Sequence, residues 1–162
     1  MDDQLAIPYS VVLPAQSDGV GIRGRGSPRP GHAAPNRRSG VMLAGQARDL
    51  LVEAAAWLDP DERFRLAHLA ALRTAAALFA DRARPGTRRG PINAWALLSQ
   101  VAPQLGDWAN YFASGASKRA AIEFGSRKVV TPREADDLVR GSSEFLALVE
   151  VSLGVFPSAR AS

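Results

Sequence analysis

From Phe64 onward, apolar positions recur at spacings of three and four. Phe64, His68, Ala71, Leu72, Ala75 and Phe79 fall on one helical face, and Leu66, Leu69 and Leu78 widen it. Only a narrow polar strip with Arg65 and Arg73 remains, so this helix is predicted to lie in the middle of a bundle. Its start is written locally. Asp59 can accept from free N–H groups of the first turn, and Pro60 suits the first helical position, where its missing N–H has no partner. Glu62 completes a capping-box-like arrangement, Asp61 complements the positive end of the helix dipole, and Pro85-Gly86 marks the stop. The central helix is expected within Asp59–Arg84.

Four further helices follow from the same reasoning. A first one is predicted over about Val41–Leu58, with Leu43, Ala47, Leu50, Leu51, Ala54 and Leu58 as its inner stripe. Its short separation from the central helix implies an antiparallel or sharply angled pair. A short helix opens at Pro91 and carries Trp95, Leu98 and Val101 on one side. Pro103 interrupts it and begins another, whose inward ridge reads Leu105, Trp108, Phe112, Ala116, Ala120 and Phe124. Thr131, Pro132 and Glu134 repeat the start signal for a last helix, with Leu138, Ser142, Phe145, Val149 and Ser152 in register and Gly154 as its stop. No strand signal survives, the short SVVLP run at 10–14 included. The fold class is all-α: a bundle of about five helices over residues 40–155. Ahead of it lies a Gly-, Pro- and Arg-rich arm, 1–39, expected to be disordered, and behind it a flexible tail, 156–162.

Composition narrows the chemistry. The absence of cysteine excludes disulfides and thiolate zinc sites, and two histidines do not make a histidine-rich metal site, so no metal or cofactor is expected. The start, Met-Asp-Asp, lacks the basic-then-apolar pattern of a secretory signal, and no apolar run reaches the roughly 18 residues needed to cross a bilayer. A cytoplasmic protein is expected. The net charge of +4 and pI of about 10.3 suit a nucleic-acid partner. They suit better an alanine- and arginine-rich, lysine-poor composition produced by a GC-rich genome.

The densest positive cluster is Arg82, Arg84, Arg88 and Arg89, in and before the loop RPGTRRGP, with Arg127 and Lys128 in a second loop. Such loops can grip phosphates, or they can simply be solvated. Trp108, Tyr111 and Phe112 can stack on bases, but their place on a helical ridge favours the core. A helix-turn-helix reading of Trp95 to Phe112 is opposed by the lack of basic residues at the start of its second helix. Asp136 and Asp137 point roughly 100° apart on a helix and do not share a site.

The runs RFRLAHLAALRTAAALFA, AWALLSQVAPQLGDWANYFASGASKRAA and TPREADDLVRGSSEFLALVE resemble an actinobacterial subfamily of HEPN domain proteins, from about Val41 to Leu153. The resemblance implies a helical bundle, often dimeric, in a class that includes many metal-independent RNases. The hallmark of those RNases is an arginine, four to six intervening residues, and a histidine. Arg63 and His68 satisfy that spacing. In this role the histidine would move the proton of a ribose 2′-hydroxyl and the arginine would steady the phosphate. Here the pair sits at the start of the second predicted helix, earlier than the family pattern places it, and its members point about 140° apart. Two functions follow as expectations. One is an RNA- or nucleotide-associated domain, with metal-independent endoribonuclease activity through Arg63 and His68. The other is a non-enzymatic helical module that dimerises or docks on another protein. The first needs His68 in a solvent-filled groove facing a dimer mate. The second needs it packed inside, with apolar surface exposed elsewhere.

Overall fold

The computed structural model describes residues 34–82 and 93–155. The described residues form five α-helices: α1 (Ala34–Ala56), α2 (Pro60–Arg82), α3 (Ala94–Val101), α4 (Gly106–Glu123) and α5 (Pro132–Ser152). A single 3₁₀ turn, Pro103–Leu105, precedes α4, and no strand occurs among the described residues. The expected all-α bundle is the observed one. The SVVLP run, His32, the Pro85-Gly86 stop, Arg84, Arg88, Arg89 and the tail lie outside the described residues.

α2 is the hub, as its nearly all-round apolar surface requires. It packs against each of the other four α-helices, and twelve of its residues are buried. α1 returns along it as an antiparallel hairpin. Gly40, near the start of α1, lies so close to the far end of α2 that a Cβ there would stand 2.9 Å from the Ala77 carbonyl oxygen. α1 begins at Ala34, within the segment read from composition as the arm. The reason is tertiary. Arg37 donates from Nε and Nη2 to the Leu153 carbonyl at 3.0 and 2.8 Å, satisfying an orphan acceptor at the end of α5. A polar, proline-containing stretch carries no periodic signal for such a contact.

The helix starts are held by the residues that announced them. Asp59 Oδ1 accepts from the Asp61 N–H at 3.1 Å. Thr131 and Glu134 form a complete capping box ahead of α5. The Thr131 N–H donates to Glu134 at 2.8 Å, and the Glu134 N–H donates to the Thr131 hydroxyl at 3.2 Å. Glu62 differs from expectation. It accepts from Arg65 Nε and Nη2 at 3.0 and 2.9 Å instead of closing a box on Asp59. α5 stops at Gly154, whose φ of +67° places it in the left-handed region, while Val155 N–H reaches back to the Glu150 carbonyl at 2.9 Å.

Three expected inward positions are on the surface, among them Ser152 at the end of α5. Leu58 follows the end of α1 and is 92% exposed, and Phe124, just past the end of α4, is 84% exposed. The ridge of α4 is also rotated from the one the pattern suggested. Its buried positions are Ala109, Phe112, Gly115, Arg119 and Ile122, while Ala116 and Ala120 are only half-buried. Among the described residues no helix is long and apolar enough to cross a membrane.

Candidate functional site

α2 carries both members of the candidate pair, and α-helical geometry aims them at different neighbours. His68 points into the junction of α2, α3 and α4 and is 1% exposed. Its ring stacks with Phe64 at 6.4 Å and meets the rings of Trp95 and Phe112 edge-on at 5.6 and 6.4 Å. Gly115 closes the wall from α4, where a Cβ would come within 3.2 Å of Phe64 Cζ and 3.4 Å of His68 Cδ2. Gly115 is a close-packing point. Its missing side chain lets α4 approach the two rings.

The protonation state follows from geometry. His68 Nε2 lies 2.9 Å from the Phe112 carbonyl oxygen. A carbonyl can only accept, so Nε2 carries the hydrogen and Nδ1 keeps its lone pair. Nδ1 is buried and has no hydrogen-bond partner. Burial in this aromatic box holds the imidazole pKa down to about 4, partly opposed by the Phe112 hydrogen bond and reinforced by the positive charge of Arg119. At neutral pH the ring is uncharged.

Arg63 faces the other way, toward the start of α5. Its Nη2 lies 2.7 Å from Asp136 Oδ1 and donates weakly to the Pro132 carbonyl at 3.4 Å. The structure does not bring the two side chains together: the guanidinium engages α5 and the imidazole engages α4. Asp136 is thereby an ion-pair partner, and its neighbour Asp137 pairs separately with Arg140 at 2.8 Å.

The candidate phosphate-binding residues are divided as well. Arg82 is exposed at the end of α2 and donates to the Val101 carbonyl at 3.2 Å. Arg127 and Lys128 are exposed in the loop before α5, at the opposite end of α2, where Arg127 Nη1 lies 4.0 Å from Asp59 Oδ2. α2 separates Arg82 from that loop by roughly 35 Å, the length of its 23 residues. Among the described residues they form no common patch. Trp108 and Phe112 belong to an aromatic stack with Phe145, whereas Tyr111 lies at the edge of that stack, partly exposed.

Two buried polar residues have roles that the sequence did not show: Asp61, read there only as complementing the helix dipole, and Arg119. Asp61 is buried, and its Oδ1 accepts the N–H groups of both Val129 and Val130 at 3.0 Å. It ties the loop before α5 to the start of α2. Arg119 is 5% exposed on the inner ridge of α4, paired with Glu123 at 3.3 Å. Spacing from Phe112 through Gly115 and Arg119 to Ile122 is regular, but a charged residue at such a position reads as surface. No group of three or more His, Cys, Asp or Glu side chains among the described residues is placed to hold a metal ion.

With the packing around α2 in view, comparison with known families places the architecture. A family model described as SAV_6107-like HEPN matches residues 54–150, more than half of the chain. The chain belongs to this HEPN family. The match takes in the end of α1, all of α2, α3 and α4, and nearly all of α5, so the elements that enclose His68 are those of the HEPN domain itself. Curated proteins and solved structures gave no match.

Proposed function

We propose that this HEPN domain is a non-enzymatic interaction module and not a ribonuclease. The observation that carries the reading is His68, 1% exposed, with Nε2 held by the Phe112 carbonyl. A general base must come within hydrogen-bond reach of the proton that it takes, and no substrate hydroxyl reaches a ring walled by Phe64, Trp95, Phe112 and Gly115. A pKa near 4 also leaves the imidazole without a proton to give at neutral pH. Leu58 and Phe124, 92% and 84% exposed, are the large apolar side chains of the described surface least used by the core.

The test is cleavage of labelled tRNA and mixed cellular RNA by the purified protein with EDTA present. Wild type and Arg63→Ala should both match a protein-free blank. Cleavage by wild type that Arg63→Ala loses would restore the endoribonuclease reading, with Arg63 and His68 as its pair.

A further inference from the structure

The α1–α2 and α4–α5 connections lie side by side at one end of the bundle. Asp61 Oδ1 accepts the Val129 and Val130 N–H groups there, and Arg127 faces Asp59 at 4.0 Å. This end carries three large apolar side chains that the core does not use. Trp57 and Leu58 stand on one connection and Phe124 on the other, 45%, 92% and 84% exposed. The carboxylates around them are engaged. Asp59 accepts from the Asp61 N–H, Glu62 is held by Arg65, Glu123 by Arg119, Glu134 by Lys118 and Asp136 by Arg63. Glu53, outside these pairs, stands a turn back along α1 from Trp57. The cations are left open. Arg127 and Arg133 are 85% and 91% exposed and sit at the limit of ion-pair reach, 4.0 and 3.9 Å from a carboxylate oxygen. Lys128 is exposed and has no ion-pair partner among the described residues. The charge left open at this end is positive.

Resting on the interaction-module reading, we propose that this end of the bundle docks on the surface of an anionic lipid bilayer, without crossing it. Leu58 and Phe124 enter the boundary between headgroups and acyl chains, and Trp57 lies at headgroup level, where its amphipathic ring is favoured. Arg127, Lys128 and Arg133 face the lipid phosphates. Stable attachment takes both signals, apolar insertion and attraction to anionic lipid, and this end offers both together. The apolar set separates lipid from RNA. A nucleobase stacks on an aromatic face, and Leu58, the most exposed of the three, has none, whereas a bilayer accepts leucine and phenylalanine alike.

Co-sedimentation of the full-length protein with vesicles tests this, using phosphatidylcholine alone and phosphatidylcholine mixed two to one with phosphatidylglycerol. The mixed vesicles should bind the protein about tenfold more tightly or better. A Leu58→Ser/Phe124→Ser variant, altered only at exposed positions, should keep its circular dichroism and lose the binding, and Lys128→Gln should weaken it about fivefold. Trp57 gives a local readout, since Trp95 is buried and Trp108 half-buried. Tryptophan emission should shift to the blue on the mixed vesicles, and Trp57→Phe should abolish the shift. No binding to either vesicle, equal binding to both, or binding that Leu58→Ser/Phe124→Ser leaves unchanged would overturn the proposal. So would binding of an RNA oligonucleotide that the same variant loses, which would make this a nucleic-acid surface. Failure with vesicles leaves the module reading intact; RNA cleavage in the earlier assay would remove the module reading itself.

Discussion

The two flanks of α2 show how one helix can serve two unlike interfaces. Toward α4 the contact is aromatic: Phe64, His68, Trp95 and Phe112 close around one glycine, and Nδ1 of the imidazole stays unpartnered. Toward α5 it adds polar contacts to an apolar core: Arg63 pairs with the exposed Asp136 at the rim, and the fully buried Ser142 donates to the Ala67 carbonyl at 2.9 Å. Arg63 and His68 are separated by five positions and by this divide. A spacing motif specifies distance along the chain; only packing decides whether two side chains share a space.

The largest expected effect is in the aromatic interface and depends on pH. The folded-state pKa of His68, about 4, lies below its ordinary value of 6.5. The unfolded chain therefore takes up a proton first, so stability is full above pH 6.5 and falls as pH drops toward 4. The contribution lost between pH 7 and pH 4 is about 3 kcal/mol. Urea denaturation across this range should show the slope, and His68→Gln should flatten it. An unchanged slope in His68→Gln would locate the pH sensitivity elsewhere.

Asp61→Ala comes next, because it strips the acceptor from the Val129 and Val130 N–H groups at once. A loss of about 2 kcal/mol is expected, read as a lower urea midpoint with faster amide exchange at 128–131. Gly115→Ala pits helix propensity, a gain of about 1 kcal/mol, against overpacking of Phe64 and His68. Those rings have aromatic neighbours behind them, so the substitution should destabilise by about 1 kcal/mol net. A stabilised Gly115→Ala would show that the interface has room. Arg63→Ala should cost less than about 1 kcal/mol, since its partner Asp136 is well exposed.

How much the sequence revealed tracks how local each cause is. The starts of α2 and α5 were legible from Asp59-Pro60 and from Thr131-Pro132 with Glu134, because caps are built from residues a few positions apart. The end of α5 was legible from Gly154. The ridge of α4 was not, since alanines at 116 and 120 satisfy a helical apolar pattern as well as Ala109 and Gly115 do. The choice between them was made by the approach of α4 to Phe64 and His68. Leu58 and Phe124 extended apolar stripes past the helix ends, where the chain turns away and the stripe loses its meaning. The start of α1 depended on Arg37 reaching Leu153, 116 residues away. His68 was legible as a residue of the apolar stripe, and its partner, the Phe112 carbonyl, was not.

The most direct measurement is the titration of His68 itself by long-range ¹H–¹⁵N NMR, with His32→Gln leaving a single imidazole to observe. The buried-core account predicts the Nε2–H tautomer, uncharged down to about pH 4. A midpoint near 6.5, with the ring signals of a solvent-exposed imidazole, would contradict it and return His68 to the candidates for catalysis.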